Sequence, residues 1–314
     1  IGLYTSDEPY PKKQASISQT IVFRDLPVVK VVFTPFSYHP LSRQLEIITS
    51  ADIDLVETGN IEPVQIPSRR SRVFEPLYES IVVNYSRSVN DEDYQKPSIL
   101  YILPNNSSNL MSNLEILFDW RHQSGYVVNY ASTSTIGTST SAIKNYISNT
   151  YGTWANPPEY VALVGDASGN YSIPTYFENW SGTYNGEGDH PYSQLVGNDI
   201  LPEVILGRLS FSTNTELATI INKTVQYETN PYVSQNWFHS ASMVGDPTYS
   251  GISTIITCEN IKEMMEYHGY DDVRTIYNSP FQSQMVSDLN AGLTFFNYRG
   301  YYGVSGFGND DISI

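Results

Sequence analysis

The apolar positions change their rhythm once along the chain. From Ala15 to Glu57 they come in short alternating bursts: Ile17, Ile21 and Phe23, then Val28 to Phe33, Leu45 to Thr49, and Ile53 to Glu57. Period-2 runs of β-branched residues, split by Pro and polar turns such as Ser37-Tyr38-His39-Pro40, predict antiparallel strands and no helix. Residues 58–97 carry Pro63, Pro67, Pro76 and Pro97 and no clean period. The pattern predicts a small all-β domain over 1–75 and a linker over 76–96.

From Ser98 onward, apolar strands alternate with one-sided helices. Ser98 to Leu103 reads as a strand, and Leu110, Leu114, Leu117 and Trp120 read as one helix face closed by Gly125. Tyr126 to Tyr130 is the next strand, followed by a helix bearing Ile143, Ile147 and Tyr151. Tyr160 to Asp166 is an unbroken apolar run, as a strand buried on both faces requires. Val204 to Arg208 is another, and Thr213-Asn214-Thr215-Glu216 is a capping box opening the helix of Leu217, Ile220, Ile221 and Val225.

After Pro231 the pattern restarts, with strands at Ser240 to Val244, Val273 to Tyr277 and Leu293 to Tyr298. Helices through Met264 and Met285 lie between them. Such alternation predicts an α/β class with two parallel sheets in tandem, over 97–232 and 233–314, the second incomplete.

Composition narrows the function. The 314 residues carry 17 Lys+Arg against 33 Asp+Glu, a formal charge of −16. Nucleic acid and anionic membrane need basic surface, so neither is expected as a partner. No apolar run approaches the ~18 residues of a membrane span. One cysteine excludes an internal disulfide and a multi-cysteine metal site. Only 16% of residues are charged while 25 are Tyr, a polarity carried by hydroxyls and amides that suggests a secreted or cell-surface setting. The chain opens at Ile1 and stops at Ile314 within a patterned segment, and is expected to be a piece of a longer precursor. Oligomeric state is not legible.

Ligands of parallel sheets gather beyond the carboxyl ends of strands. Three such ends are polar here: Gly165-Asp166, Gly245-Asp246, and Asn297 to Gly308. The insertion 169–199 is long, and with its flanks holds Asp166, Glu187, Asp189, Asn198, Asp199 and Glu203. Clustered carboxylates suit a calcium ion, which needs six to eight oxygens; the competing reading is plain solvated acids. Asp166, Asp189, Asp199 and Glu203 are the candidate ligands. The basic cluster Arg69-Arg70-Ser71-Arg72 is either solvated linker or a processing site. The five histidines show no zinc-ligand spacing, and Cys258 falls on a helix, where a buried thiol is ordinary packing. A serine-hydrolase elbow and a phosphate-binding loop are both missing from the sequence.

Three blocks, Tyr160 to Asp166, Tyr192-Ser193-Gln194-Leu195-Val196-Gly197-Asn198-Asp199 and Glu203 to Arg208, resemble the gingipain family of cysteine peptidases. The segment Lys223 to Glu228 and the motif Asn297-Tyr298-x-Gly300 extend the likeness. Pro35-Phe36-Ser37-Tyr38-His39-Pro40 is similar to that family's propeptide. The resemblance implies a caspase-like fold of two α/β subdomains and a Cys–His dyad acting on a peptide or protein substrate. The family histidine follows Asn-Tyr-x-Gly, and Tyr301 stands there in this chain. A phenol of pKa ~10 is mostly protonated at neutral pH and is a poor stand-in for imidazole. The family nucleophile is expected a few dozen residues further on. An acid supporting the histidine aligns near Val244, with Asp246 the closest carboxylate, and the acid that reads a basic substrate side chain aligns near Ile255. Two main readings follow: a secreted gingipain-like peptidase homologue inactive in this form, or an extracellular binding or assembly module that keeps the fold. A glycan-binding role for the many Tyr and Trp residues rests on composition alone.

Overall fold

The computed structural model describes residues 7–56, 67–180, 184–230, 232–303 and 306–307. The N-terminal stretch forms six short strands: β1 (Ala15–Ile17), β2 (Ile21–Phe23), β3 (Leu26–Val28), β4 (Val31–Phe33), β5 (Phe36–His39) and β6 (Gln44–Ile47). They pair antiparallel in twos, β1 with β4, β2 with β3 and β5 with β6. Ile53 to Val56 is not a paired strand, and Glu57 lies outside the described residues, as does Pro63.

The tip of the β2–β3 hairpin is the point of attachment. Arg24 turns it with φ 55°, a left-handed conformation that costs a non-glycine residue about 1 kcal/mol or more. Contacts of the side chain offset that strain. Arg24 is fully buried, and its guanidinium donates to the carbonyls of Pro158 and Glu203 and to Gln95 Oε1. The rings of Phe74 and Tyr151 lie 5.1 and 5.5 Å from it, and the Tyr151 hydroxyl donates to the Arg24 carbonyl at 2.6 Å.

A helix interrupts the stretch read as linker. α1 (Glu75–Ile81) presents Tyr78 which, with Phe74 just ahead of the helix, packs on Phe23 at centroid distances of 5.1 and 5.7 Å. Pro76 sits in its first turn, where a missing N–H costs nothing. The neighbouring basic cluster is held in place. Arg70 bridges to Tyr94 through its backbone, Ser71 is buried and donates to Glu159, and the Arg72 guanidinium lies 4.2 Å from the Tyr94 ring centroid.

Strands β7 (Ser98–Leu103), β8 (Val127–Ser132), β9 (Tyr160–Val164) and, after the insertion, β12 (Ile205–Leu209) form one parallel sheet in the order β12-β9-β7-β8. Every residue of β7 is buried, as its apolar run demands. α2 (Met111–Gln123) and α5 (Asn214–Thr229) cover one face through Leu114, Leu117, Leu217 and Ile221. α3 (Thr133–Ile136) is a single turn, and α4 (Thr140–Thr153) covers the other face with Ile143, Ile147 and Tyr151. The expected capping box forms: Glu216 N–H donates to Thr213 Oγ1 at 3.2 Å, and Glu216 Oε2 accepts from Thr213 N–H at 3.3 Å. The insertion contains a hairpin that the sequence pattern missed, β10 (Tyr176–Trp180) with β11 (Tyr184–Gly188).

The chain divides into two compact units, Ile1–Val225 and Gln226–Ile314. In the second, β13 (Ser240–Gly245) lies between β14 (Asp272–Ile276) and β15 (Phe295–Arg299), all parallel. After the single turn α6 (Pro247–Ser250), α7 (Ser253–Tyr267) packs on one face through Cys258 and Met265. α8 (Phe281–Ala291) packs on the other through Phe281 and Met285. No helix among the described residues is long and apolar enough to cross a membrane.

The Arg24 contact gives a direct test. Arg24→Met removes the donors of three buried acceptors, each costing about 1–3 kcal/mol when left unpaired. Urea unfolding of the 314-residue chain should show a loss on the order of 3 kcal/mol or more. Arg24→Lys should recover only part of it, because an ammonium lacks the planar fork.

Candidate functional site

Parallel pairing carries the carboxyl ends of β13 and β15 to one edge of the second unit. Gly245 is opposite Arg299 in register, so Asp246 and Gly300-Tyr301 leave the sheet side by side. Asp246 N–H donates to the Arg299 carbonyl at 2.9 Å, and Asp246 Oδ1 accepts from Thr248 N–H at 2.9 Å, capping α6. The Asp246 side chain is buried. Gly300 is required by space, since an added Cβ would stand 2.6 Å from Tyr298 Oη and 3.0 Å from the Asp246 Cβ. Tyr301 follows it, 56% exposed, its ring edge-on to Tyr249 at 5.9 Å. Tyr298 Oη donates to the Tyr301 carbonyl at 3.1 Å and fixes the turn. Ile255, in the first turn of α7, reaches the same edge, its backbone 3.2 Å from where a Cβ on Gly245 would sit. Asp246, Ile255 and Tyr301 therefore share one strand-end edge. Val304 and Ser305 lie outside the described residues.

Cys258 is elsewhere. It is fully buried on the inner face of α7 against Ala241 and Met243, and Asn297 Nδ2 approaches its sulfur at 3.6 Å. Burial pushes the thiol up, more than the Asn297 contact lowers it, so it is held protonated. His268 caps the far end of α7, ten residues and about 15 Å of helix away.

The four carboxylates of the first unit are engaged one by one. Asp189 lies against Arg208, Nε to Oδ2 at 2.8 Å and Nη2 to Oδ1 at 2.7 Å, and accepts from Thr175 at 2.9 Å. Burial alone would raise its carboxyl, but the hydrogen bonds from Arg208 and Thr175 and the Arg208 charge outweigh it and hold the group low. Arg208 also donates to the carbonyls of Gly165 and Ile173, at 2.8 Å each. Asp166 accepts from Ala167 N–H and Ser210, and Asp199 from Leu201 N–H. Glu203 Oε2 accepts from Leu195 N–H at 2.6 Å and Val196 N–H at 3.0 Å, pinning that loop. Its Oε1 is buried without a hydrogen-bond partner among the described residues. Among the described residues no group of three or more His, Cys, Asp or Glu side chains is arranged to hold a metal ion. Each of the four acids is engaged by backbone N–H groups, by a hydroxyl or by Arg208. The Arg208–Asp189 pair was missed in sequence because its partners lie 19 residues apart, the acid in a loop and the cation on a strand.

The chain matches two known families. Residues 92–313 match Peptidase family C25, and residues 2–90 match its propeptide, Propeptide_C25. Gingipain R2 of Porphyromonas gingivalis is 27% identical over 98% of this chain and 43% of its own length. Lys-gingipain of the same organism is 25% identical over 88% of this chain and 16% of its own. The complex of Porphyromonas gingivalis RgpB pro- and mature domains superposes with a TM-score of 0.59 at 25% identity, covering 68% of this chain and 50% of that one. The chain thus spans less than half the length of the curated relatives it matches.

The buried Glu203 yields a pH test. Burial pushes its carboxyl up to about 7, beyond what the two backbone N–H groups offset. The folded state then holds a proton that the unfolded state loses near pH ~4.5. Stability from this group is complete below ~4.5 and is lost as pH rises through about 7, by about 3 kcal/mol. Glu203→Gln should flatten the difference in urea midpoint between about pH 4.5 and about pH 8 relative to the parent. Parallel pH profiles for the two chains would refute the assignment.

Proposed function

The chain belongs to peptidase family C25 and carries that family's propeptide ahead of it, and on that premise we propose that it is part of a secreted, gingipain-like cysteine peptidase homologue whose strand-end site lacks the imidazole base. Its substrates are peptides or proteins. The observation that supports this reading is Tyr301, standing beside Asp246 at the end of β15. A Cys–His mechanism needs a thiolate within hydrogen-bond reach of a base. The single thiol is buried on α7, and the position after Asn297-Tyr298-x-Gly300 holds a phenol. This polypeptide accordingly does not cleave peptides by that route. Secretion rests on the hydroxyl- and amide-rich composition.

A second reading, an extracellular binding module, is favoured by the Tyr249–Tyr301 pair. Two exposed aromatic rings at the edge where substrate would lie can hold a peptide without cutting it.

Incubation of the 314-residue chain with a peptidyl chloromethyl ketone should leave it unlabelled, and Tyr301→His should add no turnover. Stoichiometric labelling of Cys258 with matching peptide hydrolysis would show the chain to be active and overturn this reading. Saturable peptide binding that disappears in a Tyr249→Ala, Tyr301→Ala double variant would select the binding module.

A further inference from the structure

The first unit holds an open space that the strand-end site does not use. Between its sheet and helices α2 and α5 lies a cavity of about 340 Å³. It exists because β12 places Gly207 where its neighbours would place a side chain. A Cβ added there meets nothing within 4 Å among the described residues. A glycine inside a strand weakens it, and often marks where a ligand or another backbone comes close.

The lining is divided by chemistry. Leu117 of α2 and Ile220 of α5 form apolar walls over Gly207. Arg121, Tyr126 and Tyr160 form a polar corner, with the two tyrosine rings packed edge to face at 6.2 Å. Burial raises the Tyr160 hydroxyl while the Arg121 charge acts in the opposite sense, which places that charge on the Tyr160 side of the cavity. Arg121 already has a partner in the structure, and a guanidinium carries five donors. Binding pockets of this size are mostly apolar with a few placed polar groups.

We propose that this cavity binds an apolar monocarboxylate, its hydrocarbon body over Gly207 between Leu117 and Ile220 and its carboxylate against Arg121, Tyr126 and Tyr160. At the packing density of an organic liquid, the space takes roughly a dozen heavy atoms, the size of a ten-carbon acid. A cation in the lining of an apolar space selects the acid over the alcohol, because charge-assisted hydrogen bonds are about twice as strong as neutral ones.

Calorimetric titration of the 314-residue chain with decanoate, and with 1-decanol in parallel, tests the assignment. One decanoate per chain is expected, bound at least tenfold more tightly than decanol. Gly207→Leu should fill the space and weaken decanoate at least tenfold without lowering the melting temperature. Arg121→Gln should weaken decanoate at least tenfold and leave decanol within twofold. No binding up to about 1 mM decanoate, unchanged affinity in Gly207→Leu, or decanol matching decanoate would each overturn the proposal. Should Gly207→Leu prove unstable, a diazirine analogue of decanoate settles the place in the parent chain. Crosslinks at the α2 and α5 segments carrying Leu117 and Ile220 are expected, and crosslinks confined elsewhere refute it.

Discussion

The parallel pairing of β13 with β15 sets the geometry on which the candidate site depends. Because both strands run the same way, their carboxyl ends meet at one edge, and residues more than fifty positions apart become neighbours. The pairing carries its own constraint: each parallel step needs a crossover helix, and α7 and α8 supply them. Gly245 lets α7 close on β13, and Gly300 lets the turn after β15 pass under Tyr298. Asp246 and Tyr301 then occupy their places as a consequence of backbone hydrogen bonds, whatever chemistry their side chains perform.

The first unit is organised around buried charge. Arg24 enters at the amino ends of β9 and β12, and satisfies carbonyls that the sheet itself leaves open. Arg208, pointing from β12, ties the insertion to the sheet through Asp189 and two carbonyls. Around Arg24 lie Asp25 and Glu159, whose carboxyls burial pushes up. A buried guanidinium is costly to leave unpaired, so such contacts specify one arrangement of the chain more than they add net stability. The N-terminal hairpin is therefore joined to the first sheet by a polar node flanked by the Phe23, Phe74 and Tyr78 rings.

Membership of peptidase family C25 gives the strand-end edge its meaning. The match to the family extends through the turn after β15, where Tyr301 stands. Substituting one side chain there leaves the sheet, the turn and the flanking helices intact, since Tyr301 is exposed and its backbone makes the structural contact. The fold does not depend on which side chain stands at this position, because function resides in side chains placed on a scaffold that does not need them.

The sequence by itself determined the class of elements. Unbroken apolar runs such as Tyr160 to Val164 are strands because both faces are buried, and the Thr213–Glu216 capping box starts its helix because it satisfies N–H groups locally. The blocks Tyr160 to Asp166 and Glu203 to Arg208 were legible for the same reason: they lie on those strands and their ends. What lay outside local pattern was decided by tertiary structure. α1 forms in a proline-rich stretch because Phe74 and Tyr78 find Phe23 across the fold. The partners of the four acids read as one cluster, Arg208 for Asp189 and backbone N–H groups for Asp199 and Glu203, were set only there. Hydrophobic period is written in neighbouring residues, whereas the partner of a buried charge is fixed only when distant segments meet.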